Sequence, residues 1–384
     1  MFKEKQYLFI PGPTPVPPAV VRAMTRPIVG HRSNDFAQLN KRVVDKLKQV
    51  FQTENDLFVL GNSGTGAMET AILNTINPGD PVLALITGHF GERFAKLAVT
   101  YGAEVDRLDF PWGESIDLNA VEKALQDKAY KAVLVTHNET STGVVNDLTG
   151  LGKLVAKTEA LLMVDAVSSL AGIEVKTDRD HLDLVVTASQ KALMLPPGLA
   201  AISVSAKAWQ RAEACQNAKF YFSLAEYKKA MAKNHTPWTP AVSLFYGLEE
   251  ALDLILAEGL AQVFARHQRL AKAVRIGVKA LGLEVVAPET CASPTVTAIR
   301  MPAGVDADQL RKFAGQKLGI VFAGGKGQLA GKVIRFGHMG FVGEFDIITG
   351  LAAIEMGLAH FGYQVKKPGV GVGKAQEYLL DTLP

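Results

Sequence analysis

Lys191, in Ser189-Gln190-Lys191-Ala192-Leu193, and Asp165, directly after Leu161-Leu162-Met163-Val164, are the two residues best placed to do chemistry together. The apolar run before Asp165 reads as a buried strand that carries a carboxylate at its C-terminal end. A second run, Leu184-Val185-Val186-Thr187, reads as the following strand and delivers Lys191 just beyond it. In an open parallel sheet, ligands bind outside the carboxyl ends of the strands, so one acid and one amine would face the same crevice. A partly desolvated lysine can condense with a conjugated aldehyde. An aspartate opposite a pyridine nitrogen keeps that nitrogen protonated, so the ring can withdraw electrons. The pairing suits pyridoxal 5'-phosphate. A surface lysine that merely follows a strand is the plain alternative, and only the rest of the site can separate the two.

A phosphate would need its own cradle. The run Leu57–Leu60 is followed by Gly61-Asn62-Ser63-Gly64-Thr65-Gly66-Ala67-Met68-Glu69, which leads into a helix. Glycines and small hydroxyls at a helix N-terminus leave backbone N–H groups free to hold an anion, and Ser63 and Thr65 add hydroxyl donors. The turn lacks the Gly-Lys-Ser/Thr ending of a nucleoside triphosphate loop, and Gly64 and Gly66 miss the spacing of a dinucleotide fingerprint. A helix start capped by Ser63 is the structural alternative. Thr136-His137-Asn138-Glu139-Thr140-Ser141-Thr142-Gly143 ends another strand and brings hydroxyls to the crevice edge. Thr87-Gly88-His89-Phe90-Gly91 also follows a strand and could lay Phe90 over a flat ring, or simply pack it. Arg335, flanked by Val333-Ile334 and Phe336-Gly337, suits a bidentate grip on a carboxylate; pairing with a structural acid is the competing reading.

These residues need a scaffold, and the chain has the material for one. Its 384 residues are 48% hydrophobic, enough for a large core and too many for one ordinary domain. From Leu57 to Val204 short apolar runs alternate with amphipathic stretches: Leu57–Leu60, Val82–Ile86, Ala132–Thr136, Leu161–Val164, Leu184–Thr187 and Leu199–Val204. Such alternation predicts an α/β fold with a mostly parallel sheet. A helix is expected from about Ser33 to Phe51, and Asn77-Pro78-Gly79-Asp80 marks a turn. Near Glu258 the texture changes to a long charged helix, Leu260–Leu281, then strands near Val296–Met301 and Val333–Phe336. The expected division is an N-terminal arm over 1–15, a large domain over 16–257, a smaller C-terminal α+β domain over 258–363, and a flexible linker and tail over 364–384. Three prolines in Phe9–Pro15 hold the arm extended, so that it crosses a surface or cleft.

The net charge of +3 is spread along the chain, with no basic block or aromatic-basic stripe pointing to nucleic acid. Cys215 and Cys291 show no CxxC spacing, so neither a disulfide framework nor a metal site is expected. No signal peptide or 18-residue apolar span is visible, so a soluble, cytoplasmic protein with no membrane partner is the default.

With those motifs assembled, the chain resembles the class V, fold-type I aminotransferases that use pyridoxal 5'-phosphate. Within them it is similar to the alanine–glyoxylate and serine–glyoxylate group, which includes cyanobacterial proteins labelled soluble hydrogenase small subunit. The resemblance covers roughly residues 7–363 and rests on Pro11–Thr14, Ser63–Gly66, Thr140–Gly143, Val164–Ser169, Ser189–Ala192 with Pro196–Gly198, and Lys332–Gly337. It implies that Lys191 binds the cofactor and moves the proton, and that Asp165 holds the pyridine nitrogen. Thr140 would contact the ring hydroxyl, Phe90 and Val167 would sandwich the ring, and Ser63, Gly64, Thr65 and Gln190 would bind the phosphate. Arg335 would take the substrate carboxylate, with Gly12 on the facing wall. It further implies a homodimer with shared sites, in which Thr239 of Thr236–Pro240 reaches the neighbour's phosphate. Phe90 stands where mammalian members have tryptophan, and Thr236 where they have tyrosine, so substrate preference stays open. Alanine or serine with glyoxylate or pyruvate is the expected pairing. Aspartate or phosphoserine is the alternative, with Arg32 as the residue that would recruit it; a surface salt bridge at the start of the following helix is the favoured reading of Arg32. A lyase or desulfurase on the same fold would want a reactive cysteine, and neither cysteine lies in such a motif. A non-catalytic descendant of the fold would have no need of Lys191, Asp165 and Arg335 together.

Overall fold

The computed structural model describes residues 6–365 and 367–383, so the first five residues of the expected arm lie outside it. The alternating apolar runs become one seven-stranded sheet. Its order is Asp56–Leu60, Ala200–Val204, Leu184–Ala188, Leu161–Asp165, Ala132–Thr136, Pro81–Ile86, Glu104–Asp109. Neighbours pair in parallel, except that Ala200–Val204 runs antiparallel to both strands beside it. Two antiparallel steps leave Asp56–Leu60 pointing the same way as the rest. The carboxyl ends of six strands therefore share one edge.

Strand residues alternate between two cores. Leu57, Val59, Leu83, Leu85, Val133 and Val135 join one, and Phe58, Leu60, Val82, Ala84, Ile86 and Leu134 join the other. A sheet buried on both faces needs apolar residues on both, which is why its central strands read as continuous apolar runs. Glu104–Asp109 was not anticipated. As an edge strand, Glu-Val-Asp-Arg-Leu-Asp carries charges that its exposed side tolerates and that discourage pairing with another chain.

A second sheet orders Tyr7–Phe9, Ile320–Gly324, Val333–Gly337 and Val296–Arg300. Its core joins Phe9, Phe322, Ile334 and Phe336 to Leu270 and Val274 of the helix Leu260–Ala280, and to Ile347 and Leu351 of Glu344–His360. The N-terminal strand is thus stitched into the smaller sheet, parallel to Ile320–Gly324. The chain then crosses to the large sheet. There the Thr14 N–H donates to the Gln190 carbonyl (3.2 Å) and the Thr14 hydroxyl to the Lys191 carbonyl (2.9 Å).

The segment expected to be a flexible linker and tail differs in part. Val370–Asp381 is a helix, and Ala375 and Leu379 are buried in the core of the smaller sheet against Leu281 and Val278. Gly371 and Gly373 lie inside that helix. At Gly371 a side chain would collide with Leu281, at 2.8 Å from Cγ, so the glycine serves close helix packing rather than flexibility.

Candidate active site

Where the two sheets meet, a cavity of about 540 Å³ opens beside the carboxyl edge of the large sheet. Its walls include Gly12, Phe90, Thr140, Lys191 and Arg335, drawn from the N-terminal arm, three crevice loops and the smaller sheet. Five of the sequence-predicted site residues are thereby brought together. Lys191, half-buried, donates from Nζ to the Pro11 carbonyl. Burial lowers its pKa to about 8; Asp165 works against that shift, and Arg335 and Arg93 add to it. The amine is therefore far closer to its nucleophilic, neutral form than an exposed lysine.

Gly12 is what lets the arm approach this closely. Its φ of +131° is open to glycine, and a Cβ there would lie 2.6 Å from Lys191 Nζ. Pro11 was not singled out as a partner of the lysine, because a carbonyl contact across 180 positions leaves no trace in side-chain spacing.

Asp165 closes the strand Leu161–Asp165, level with Thr136 on the neighbouring strand, and is 5% exposed. One carboxylate oxygen accepts from the Val167 N–H at 2.9 Å. Burial raises its pKa to about 6, offset by Val167, Lys191 and Arg93. A buried carboxylate with one firm hydrogen bond has capacity left for a cationic partner, and a protonated ring nitrogen is one.

Ser63 caps the helix Gly64–Thr75, accepting from the Gly66 N–H at 3.3 Å, so the structural reading of this turn holds. The helix start still opens at the same edge of the sheet, with Ser63 exposed, Thr65 half-buried and Gly64 pressed against Val167. Gln190 leaves Oε1 buried and without a hydrogen-bond partner. Ser63, Gly64, Thr65, Asp165, Val167 and Gln190 do not line the cavity itself; they extend from it along the strand ends.

Arg335 is 6% exposed in the strand Val333–Gly337. Nε donates to the Gly324 carbonyl (2.7 Å) and Nη1 to the Thr140 carbonyl (3.1 Å). Among the described residues, no carboxylate oxygen comes within 4.0 Å of it, so the structural ion pair is not there. Burial lowers its pKa to about 10, and Glu139 is the acid whose charge opposes this. A guanidinium held by two carbonyls, with Nη2 unpaired, is a ready site for a carboxylate.

Two predicted residues lie elsewhere. Arg32 is neither at the cavity wall nor in a salt bridge: Nη1 and Nη2 donate to the carbonyls of Thr236 (2.5 Å) and Pro237 (2.9 Å). Thr239, on the loop those bonds brace, is exposed and away from its own chain's cavity.

The residues present fit a phosphorylated pyridine aldehyde. They supply a lysine of lowered pKa, a buried acid with spare capacity, a helix start for an anion, and a guanidinium without an acid. Among the described residues no group of three or more His, Cys, Asp or Glu could hold a metal ion.

Comparison with known proteins points the same way. The sequence model of the aminotransferase class-V family matches residues 6–336. The chain is 39% identical over 383 residues, covering 98% of it and 96% of the relative, to an L-aspartate–glyoxylate aminotransferase of Paracoccus denitrificans. It is 37% identical, over 99% of its length and 96% of the relative's, to a serine–glyoxylate aminotransferase of Arabidopsis thaliana. The crystal structure of a pyridoxamine–pyruvate aminotransferase from Mesorhizobium loti superposes with a TM-score of 0.94 at 34% identity, covering 98% of this chain and 97% of that one.

Proposed function

The chain belongs to the class-V aminotransferases, enzymes that work with pyridoxal 5'-phosphate, and on that premise we propose that it moves an amino group from alanine or serine to glyoxylate or pyruvate. The cofactor, when bound, supplies the electron sink that makes the donor α-proton removable. Everything else falls to the chain. Lys191 would hold the cofactor aldehyde and, once displaced by the donor amine, carry the proton away from the donor α-carbon. Asp165 would keep the ring nitrogen protonated. Thr140 would meet the ring hydroxyl, Phe90 and Val167 would close on the two ring faces, and Ser63, Gly64, Thr65 and Gln190 would hold the phosphate. Arg335 would orient the donor by its carboxylate, placing the α-carbon within reach of Lys191.

The observation that carries the reading is the Lys191–Arg335 cavity. One buried amine of lowered pKa and one acid-free buried guanidinium open into the same space. Gly12 and the Pro11 carbonyl press against the amine, leaving little room for a donor side chain on that side. Small donors therefore fit best, and glyoxylate is the smallest acceptor.

A second reading, an acidic donor such as aspartate, has an observation in its favour. Arg93 and Lys326 also line the cavity, and among the described residues neither pairs with an acid within 4.0 Å. A panel of donors against acceptors on purified protein tests both. Alanine or serine with glyoxylate should give the highest kcat/KM. Aspartate as the fastest donor, abolished by Arg93→Ala or Lys326→Ala, would replace the first reading with the second.

A further inference from the structure

Glu139 is a carboxylate that the proposed chemistry does not use, yet it is 0% exposed, directly before Thr140 of the cavity wall. It belongs to the two-residue strand Asn138–Glu139, and its four polar contacts all come from donors. Oε2 accepts from the N–H groups of Phe90 (2.8 Å) and Gly91 (3.1 Å), the first turn of the helix His89–Thr100. Oε1 accepts from the Ser141 N–H (3.0 Å) and hydroxyl (2.6 Å). That hydroxyl in turn accepts from the His89 N–H at 3.1 Å.

Burial pushes the carboxyl upward in pKa, but every partner donates, and three are fixed backbone N–H groups that a protonated oxygen could not match. The helix N-terminus also favours negative charge. Gly88 makes the closure possible: a Cβ there would lie 2.6 Å from Glu139 Cγ and 2.5 Å from the Ser141 hydroxyl. The glycine, the acid and the serine form one built unit.

Two functional groups hang from this unit. Phe90 is held by its own N–H. Arg335 donates to the carbonyl of Thr140, the residue between the acid and its serine, and Glu139 is the negative charge that favours its ionised form. We propose that Glu139 is a positioning residue that fixes the ring-facing Phe90 and the carboxylate-binding Arg335 from a single buried anion. The proposal rests on the functional reading above, since it assigns those two groups their tasks.

The test compares the wild-type holoenzyme with Glu139→Gln, which keeps the size and removes the charge, and with Ser141→Ala, which removes only the hydroxyl donor. Three readouts are taken on each: borohydride trapping of the cofactor on Lys191, visible circular dichroism of the bound cofactor, and KM against kcat for the fastest donor of the wild type. Glu139→Gln should still trap the cofactor on Lys191 but lose half or more of the visible dichroism. Its donor KM should rise about tenfold, the scale of a charged hydrogen bond weakened behind Arg335, with a smaller fall in kcat. Ser141→Ala should move the same quantities in the same direction by less, and it carries the test should Glu139→Gln not fold. Wild-type dichroism and KM in the folded variants would overturn the proposal while leaving the function intact. Failure of the wild type itself to trap cofactor would overturn the function, and the proposal with it.

Discussion

At the scale of single residues, burial turns ordinary side chains into reactive ones. Lys191 would lose its proton above pH 10 in water, and here burial brings that down to about 8. The sign is simple: a lowered pKa means the free amine, the form that attacks an aldehyde, accumulates above about pH 8 instead of above 10.5. Cofactor-free protein should therefore capture pyridoxal 5'-phosphate faster as pH rises, with a midpoint near 8 in stopped-flow absorbance. Asp165 raises the lysine's pKa, so Asp165→Asn should move that midpoint lower. A profile still climbing steeply at pH 10 would show that the amine is not desolvated.

At the scale of elements, the residues that position the site divide by whether a local signal betrays them. Leu161–Asp165 and Leu184–Ala188 were readable because a strand buried on both faces must be apolar throughout, so Asp165 and Lys191 stand out at the ends. Arg335 was readable for the same reason. Glu139 was not: it lies among hydroxyl residues where an acid is unremarkable, and its meaning comes from backbone N–H groups some 50 positions away. Arg32, open between a salt bridge and a substrate contact, makes neither here, because a cation in Gly30-His31-Arg32 carries no mark of the carbonyls it will brace. Tyr7–Phe9 escaped because three residues carry too little pattern, and Ile320–Gly324 because it runs into Gly324-Gly325, which reads as a turn; their pairing makes them strands. The helix Val370–Asp381 was obscured by its glycines. Its docking gives a stability prediction. Leu379 is 4% exposed, so Leu379→Ala should cost about 2–4 kcal/mol and lower the thermal midpoint, whereas Leu380→Ala, at a residue 69% exposed, should change little. Equal effects at the two positions would mean the helix is not packed as described.

At the scale of the whole molecule, the cavity is a joint product of two sheets and an arm that visits both. The Thr236–Pro240 loop contributes nothing to its own chain's cavity, although Arg32 spends two hydrogen bonds holding it in shape. We propose a homodimer in which Thr239 would serve the neighbour's phosphate, a task for which the loop is held in shape. Mixing Lys191→Ala subunits with subunits carrying Thr239→Arg, each inactive alone, should restore part of the activity through mixed dimers that hold one complete site. Full activity in a sedimenting monomer would reject shared sites without touching the chemistry assigned to Lys191. That chemistry is the central claim, and borohydride reduction of the cofactor-loaded protein followed by peptide mapping tests it most directly. A single pyridoxyl group on Lys191 and loss of the visible absorption band are expected; a pyridoxyl group on any other lysine, or none at all, would refute the role given to Lys191.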